Sequence, residues 1–171
     1  WLLTEQLVDL VKLSSTPPRL LLNASAIGWY GRQDDAPLDE TCQSPHDEFT
    51  HRLCQQWEQL AQQARSAQTR VCILRIGLVL GMEGGALPRM LPPYRLGLGG
   101  PMGSGTQMMS WIHVQDLVRA MLFLIEHGEC DGIFNGTAPQ PVSNRRFSET
   151  LAATLHRPHL FFVPAPLLRL L

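Results

Sequence analysis

Hydrophobic and polar positions first recur with a helical period and then form a short apolar run. Apolar residues between Thr4 and Leu13 recur every three to four positions, which predicts a helix with Thr4 as its cap. The segment 19–25 is apolar, ends at Ser25 and enters a glycine-containing turn, as strands of α/β sheets do. The chain therefore begins with a helix and a strand. The inward positions of this helix are predicted to be Leu7, Leu10 and Val11.

A second helix and strand follow a polar loop over 34–45. The pattern predicts a long helix over 46–68. The next segment, 69–81, is nearly continuous in apolar residues, which is typical of a strand buried on both faces of a parallel sheet. The inward residues of the helix are predicted to be Phe49, Leu53, Trp57 and Leu60.

Glycines and shorter elements dominate after Gly81. The predicted elements are a helical stretch near 87–96, a flexible glycine-rich loop over 97–105, a helix that starts within 111–116 and runs to about 127, a strand over 132–136, a helix capped by Ser143 and ending at Leu155, a strand over 160–163, and the start of a helix over 164–171. Alternating helices and strands predict an α/β fold with a parallel sheet.

Composition narrows the classes of partner. The chain has 171 residues and a formal net charge of −1, which argues against nucleic acid or an anionic membrane as partner. No apolar run approaches the roughly 20 residues that a membrane span requires. The four cysteines show no Cys-x-x-Cys spacing and no signal peptide precedes them, so a reducing, cytoplasmic location is expected.

One cluster resembles a metal site in composition. It comprises His46, Asp47, Glu48, His51 and Cys54, of which His51 and Cys54 are three residues apart on a helical face. A solvated helix start explains the cluster equally well, and no metal is predicted.

Two patterns expected of a nicotinamide-dependent oxidoreductase are missing. The chain has two tyrosines, Tyr30 and Tyr94, and one lysine, Lys12, so it contains no Tyr-x-x-x-Lys pair. No glycine-rich turn follows a first strand in the way that pyrophosphate-binding turns do. The glycines of 97–105 neither follow a clear strand nor open a helix, so the pyrophosphate site is not expected within this chain.

An ordered set of motifs carries a specific resemblance. The motifs are 25–31, 39–40, 49–58, 74–81, 95–105, 111–116 and 134–136. Together they resemble the atypical epimerase-like branch of the extended short-chain dehydrogenase/reductases, relatives of the NAD(P)-dependent epimerases and dehydratases. The resemblance implies that 1–81 form the C-terminal part of a Rossmann-like NAD(P)-binding domain. It implies a smaller substrate-binding α/β region over 82–171, with further sequence expected before and after the chain.

The resemblance also implies roles for individual residues. Ser25 lies where the superfamily places a hydroxyl that binds the reacting carbonyl or alcohol beside the cofactor, although a turn serine bonded to its own backbone is the alternative. The residues expected along the nicotinamide end of the cofactor are Ser25, Arg75, Ile76, Gly77, Leu78 and Val79. The candidates on the substrate side are Tyr30, His113 and Asp116.

The usual catalytic pair is replaced in this chain. Aligning Glu58 with the acidic residue after the catalytic helix puts Thr50 at the tyrosine position and Cys54 at the lysine position. A lysine lowers the pKa of the catalytic tyrosine, and threonine with cysteine cannot reproduce that effect. His51 and His113 are the alternatives that titrate near neutrality.

Three hypotheses follow. The first is an oxidoreductase or epimerase that uses NADP or NAD on a nucleotide-sugar-like or small carbonyl substrate. The second is a non-catalytic NADP(H)-binding sensor or scaffold. The third is an incomplete product with exposed core. Helices 4–13 and 46–68 correspond to dimerising elements in related enzymes, so a homodimer is expected.

Overall fold

The computed structural model describes residues 2–31, 37–43 and 48–161. They form two compact units, Trp1–Gly77 with Gln115–Gly136, and Leu78–Val114 with Thr137–Leu171. The helices are α1 (Leu2–Leu13), α2 (Phe49–Gln62), α3 (Ala86–Arg95), α4 (Val114–Glu126) and α5 (Asn144–Thr154). The strands are β1 (Leu20–Ala26), β2 (Arg70–Ile76), β3 (Leu78–Leu80), β4 (Met108–Met109), β5 (Trp111–His113), β6 (Gly132–Gly136) and β7 (Val142–Ser143).

The first unit is built on a parallel sheet in the order β1-β2-β6. The registers place Ser25 beside Arg75 and Arg75 beside Asn135, so one row crosses all three strands. Helices α1 and α2 cover one face. Leu74 points to the opposite face and meets Leu117 of α4 near Gly136. The core below α1 and α2 comprises Val8, Val11, Leu21, Ala61, Ala64, Val71 and Ile73.

Helix α1 begins earlier than its pattern predicts. It starts at Leu2, so Thr4 lies inside the helix and the predicted cap is wrong. Val8 and Val11 are buried, whereas Leu7 and Leu10 are exposed. The β-branched valines pack on the sheet, and the leucines lie on the outer side.

Helix α2 is shorter than predicted, and a different face is buried. It spans Phe49–Gln62, and Phe49 is 70% exposed. Leu53, Trp57 and Leu60 are half-buried. The inward residues are His51, Cys54, Glu58 and Ala61. This face is largely polar because it meets buried polar groups of the sheet, described below.

Two elements that the sequence predicts as continuous are each divided in two in the structure. The run 69–81 breaks at Gly77, and β3 pairs with β5 in a separate parallel ladder. Trp111–His113 is therefore a strand, and α4 begins only at Val114. The apolar period of α4 continues into β5, which explains the mistaken helix start.

The second unit orders its glycine-rich loop by hydrogen bonds. The side-chain oxygen of the buried Asn144 accepts a hydrogen bond from the Met102 backbone N–H at 2.7 Å. The Asn144 backbone N–H donates to the Gln107 carbonyl oxygen at 2.9 Å. Ser143 caps α5 by accepting from the Arg146 amide, as predicted. The loop predicted to be flexible is therefore held at several points.

Several predictions concern the chain ends and loops. The strand over 132–136 is confirmed. Residues 160–161 are not in a strand, and the rest of the predicted strand and helix over 162–171 lies outside the described residues, as do 32–36 and 44–47. No described helix has the length and apolar character needed to cross a bilayer.

Candidate functional site

Strand β1 leads into a short 3-10 turn, Ile27–Tyr30, at the carboxyl end of the sheet. A Cβ atom on Gly28 would lie 3.3 Å from Thr50 Cβ and 3.8 Å from Cys54 Sγ. Helix α2 therefore packs directly on the turn through the two residues aligned with the missing tyrosine and lysine. Gly28 permits this close approach because it has no side chain.

A buried ion pair joins α2 to β2. Arg75 donates from Nε to Glu58 Oε1 at 3.0 Å and from Nη2 to Glu58 Oε2 at 2.8 Å. Ser25 Oγ donates to Glu58 Oε1 at 2.7 Å. Arg75 is 1% exposed and Glu58 6%. Burial opposes the charge on Arg75, but hydrogen bonds with Glu58 and Tyr30 outweigh it and raise the Arg75 pKa, so Arg75 remains cationic.

The aromatic residues of the turn cover this pair. The Arg75 guanidinium carbon lies 3.5 Å from the centroid of the Trp29 ring and 5.0 Å from that of Tyr30. Tyr30 is buried, and its hydroxyl donates to Asn135 Oδ1 at 2.8 Å. Each strand of the sheet thus contributes one polar side chain, and together with Glu58 these groups fix the turn. We call Ser25, Glu58, Arg75, Tyr30 and Asn135 the polar row.

His51 also packs against Trp29. Its Nδ1 atom is hydrogen-bonded to the Trp29 carbonyl oxygen, and the two rings meet edge to face at 5.3 Å. A carbonyl oxygen only accepts, so Nδ1 carries the proton and Nε2 is the basic nitrogen of the neutral ring. Nε2 makes no hydrogen bond to any described residue.

Cys54 cannot supply the cation that a lysine would. Burial raises the pKa of its thiol above the usual 9.0, while hydrogen bonds with the Ala26 backbone and the Ser25 side chain oppose that rise. Cys54 is therefore a neutral thiol near pH 7. The usual tyrosine–lysine chemistry has no equivalent at these two positions.

A cavity of about 340 Å³ lies beside the polar row on the α2 face of the sheet. Its lining residues are Trp29, Gln55, Glu58, Gln59, Gln62, Ile73, Arg75 and Ile133. Most of its exposed wall is apolar, and the Arg75–Glu58 pair contributes charge at one end.

The predicted site residues separate into groups. The structure brings Ser25, Tyr30 and Arg75 together in the polar row, and Ile76 and Gly77 follow Arg75 directly. Leu78 and Val79 are half-buried in β3 of the second unit, where His113 is exposed at the end of β5. Asp116 is exposed on α4, and its Oδ1 accepts from Arg119 at 3.0 Å.

Sequence reasoning did not foresee the contacts of Glu58 and Asn135. Glu58 follows His51 and Cys54 at spacings that share one helical face, which was the available signal. Within the described ranges, no group of three or more His, Cys, Asp or Glu side chains is placed to hold a metal ion, and His46 and Asp47 of the cluster considered above lie outside those ranges.

The sequence of this chain matches that of a known protein family. The model of the NAD dependent epimerase/dehydratase family matches residues 1–135. The chain belongs to this family.

Relatives of this epimerase/dehydratase-family chain are longer. An epimerase family protein of Staphylococcus aureus (strain MRSA252) is 42% identical over 168 residues, which are 98% of this chain and 56% of that protein. The human epimerase family protein SDR39U1 (isoform 2), solved with NADPH, is 33% identical, with a TM-score of 0.92 over 98% of this chain and 57% of that one. A nucleoside-diphosphate sugar epimerase from Corynebacterium glutamicum is 34% identical, with a TM-score of 0.78 over 98% and 37%.

These similarities confirm the expected family and the Rossmann-like α/β fold. The chain spans about half the length of the curated relatives it matches.

Proposed function

We propose that the first unit binds the nicotinamide end of NADP(H) or NAD(H), and that the protein containing this chain is an oxidoreductase or epimerase. The observation that carries the proposal is the polar row at the carboxyl ends of β1, β2 and β6. Open α/β sheets bind ligands at that edge. The human relative solved with NADPH supports the same cofactor class.

The residues at this edge suit a flat ring. Ala26, Ile76 and Gly136 are adjacent in register one step beyond the polar row, with their side-chain positions on the opposite face of the sheet, and we propose that they form a small apolar ledge at the ends of the strands. The Gly77 amide donates to the Gly136 carbonyl at 3.1 Å, which closes the ledge at its outer end. A nicotinamide bound there would supply hydride transfer, and the ledge would keep water from its ring. We assign this contact to the segment 75–79.

Ser25 would act on the oxygen of the substrate. Its hydroxyl donates to Glu58 in this structure, and rotation about the Cβ–Oγ bond would let it donate to the oxygen of the substrate instead. We retain Tyr30, His113 and Asp116 as candidates on the substrate side. In this proposal the region over 1–81 serves the cofactor, and the region over 82–171 serves the substrate.

We propose a substrate with a carbonyl or alcohol group, either nucleotide-sugar-like or small. The Corynebacterium relative is described as a nucleoside-diphosphate sugar epimerase, which favours the first class. The charge of the second unit also favours a nucleotide-sugar-like substrate. Its described residues include five arginines and two glutamates, and guanidinium groups pair well with phosphates. These residues are Arg89, Arg95, Arg145, Arg146, Arg157, Glu83 and Glu149.

The test measures cofactor binding and turnover in the full natural polypeptide. Ile76→Glu places a carboxylate on the ledge and is expected to weaken NADPH binding at least about tenfold, a change of about 1.4 kcal/mol. Ser25→Ala is expected to lower turnover while leaving NADPH binding nearly unchanged. Leu122→Glu on the exposed surface of α4 is the control. Equal NADPH affinity in wild type and Ile76→Glu would contradict the proposed site.

A second function is favoured by Thr50 and Cys54 packed against Gly28. These residues exclude a Tyr-x-x-x-Lys pair, which agrees with a cofactor-binding sensor or scaffold without catalysis. NADPH binding without turnover on any alcohol or carbonyl tested would favour that alternative.

Two further expectations remain proposals. We propose a homodimer, because α1 exposes a row of leucines, namely Leu2, Leu3, Leu7, Leu10 and Leu13. We also propose a cytoplasmic location, which agrees with four cysteines that form no disulfide.

A further inference from the structure

We propose that the His51 imidazole is the acid–base group of this site, in place of the missing tyrosine and lysine. The proposal rests on the proposed oxidoreductase function. His51 lies in the first turn of α2, facing the 3-10 turn at the carboxyl end of the sheet. It therefore occupies the same helix that carries the catalytic pair in the resemblance, one residue after Thr50.

The Trp29 carbonyl prepares His51 for this role. Donation from Nδ1 to that oxygen fixes the ring tautomer and leaves the lone pair on Nε2. When Nε2 takes up a proton, the same carbonyl stabilises the charge on the ring. This arrangement matches the general rule that a catalytic base is oriented by a third group.

The other ionisable groups nearby are already engaged. Both Glu58 oxygens are bonded to Arg75, and one also accepts from Ser25. Tyr30 is buried and donates to Asn135. Cys54 is a buried neutral thiol.

His51 is thus the titratable residue of this cluster with an uncommitted nitrogen among the described residues. Besides Glu58, the charged groups on or next to its own helix are Glu48, at the cap, and Arg52. Both have partners of their own.

The proposed step balances in both directions. In oxidation, the substrate O–H bond would break and its proton would pass to His51 Nε2, while a bound NAD(P)⁺ would supply the acceptor for the hydride released from the adjacent C–H bond. The substrate alcohol becomes a carbonyl, and the nicotinamide is reduced. In the reverse direction, the His51 imidazolium returns the proton to the carbonyl oxygen.

The decisive variant is His51→Asn, studied in the full natural polypeptide. An asparagine amide can keep the hydrogen bond to the Trp29 carbonyl, but it has no nitrogen at the Nε2 position. We expect NADPH affinity within about twofold of wild type and turnover reduced about 10²–10⁴-fold. In the oxidation direction the base form is required, so wild-type kcat should fall as the pH is lowered, and the variant should lose this dependence. If His51→Asn keeps the turnover and the pH profile of the wild type, the proposal is overturned.

A second measurement separates this proposal from the proposed function. Nitrogen-15 NMR of wild type should show the Nδ1–H tautomer of His51, and its Nε2 signal should shift when NADPH is added. An Nε2–H tautomer, or an Nε2 signal that NADPH leaves unchanged, overturns the role of His51 even if turnover occurs. Absence of turnover in wild type contradicts both proposals, whereas turnover that survives in His51→Asn contradicts only this one.

Discussion

The Arg75 guanidinium connects most of the buried polar groups at the end of the sheet. Its planar fork binds Glu58 through two parallel hydrogen bonds while its face stacks on Trp29. A lysine has neither the fork nor the flat face, so it could not make these contacts together. Glu58 in turn accepts a hydrogen bond from Ser25. Loss of either Arg75 or Glu58 would leave the other charge buried without its partner, which lowers the free energy of unfolding.

Removing Glu58 should therefore be more costly than removing an exposed ion pair. Glu58→Ala leaves the Arg75 cation buried without its counter-charge, and we expect the free energy of unfolding to fall by about 3–5 kcal/mol. Asp116→Ala removes the exposed Arg119 pair and should cost less than about 1 kcal/mol. Urea denaturation monitored by circular dichroism measures both. A loss below about 1 kcal/mol for Glu58→Ala would contradict a charged, dry pair.

Helix α2 illustrates what the sequence predicts and what it does not. Its existence follows from the helical spacing of its apolar residues, but the apolar stripe through Phe49, Leu53 and Trp57 misidentifies its buried face. The buried face carries His51 and Glu58 because their partners come from β1, β2 and the 3-10 turn, which are distant in sequence. Motifs therefore predicted Ser25, Tyr30 and Arg75 as candidate site residues, whereas the partners of those residues could be found only from the fold.

Close packing of a glycine gives a test at the scale of helix α3 and its following loop. A Cβ atom on Gly99 would lie closer than 3.0 Å to the Tyr94 ring. The hydroxyl of Tyr94 is hydrogen-bonded to the Ser148 hydroxyl, which holds the ring in place. Gly99→Ala should destabilise the fold by about 1–3 kcal/mol, because the buried ring has to move. Gly84→Ala is the matched control, since no atom lies within 4 Å of its Cβ position. Equal melting temperatures of the two variants would contradict this packing.

At the scale of the whole molecule, two features bear on assembly: the share of its relatives' length that the chain covers, and the exposed apolar side of α1. The chain covers 56% of its Staphylococcus relative, and the first unit has a helix, α1, whose outer side is apolar. An exposed row of leucines is costly in water unless another surface covers it. The proposed homodimer is the arrangement in which a second copy supplies that surface.

Charge on α1 should therefore break the dimer. Leu3→Glu with Leu10→Glu changes two positions that are 81% and 68% exposed, so the fold of one subunit should tolerate them. We expect the full natural polypeptide to change from dimer to monomer in analytical ultracentrifugation. Leu122→Glu, on α4, should remain dimeric. A wild-type protein that sediments as a monomer would contradict the proposed interface.

The polar row also affects how the three strands align during folding. Alternation of apolar side chains cannot distinguish the native alignment from one shifted by two residues, because such a shift keeps every side chain on its own face. A two-residue shift would nevertheless separate Ser25 from Arg75 and Arg75 from Asn135. Their hydrogen bonds to Glu58 and Tyr30 could not all form, and a buried cation would be left without its partner. The polar row beside the proposed cofactor site thus also selects one alignment of the sheet over its nearest competitor.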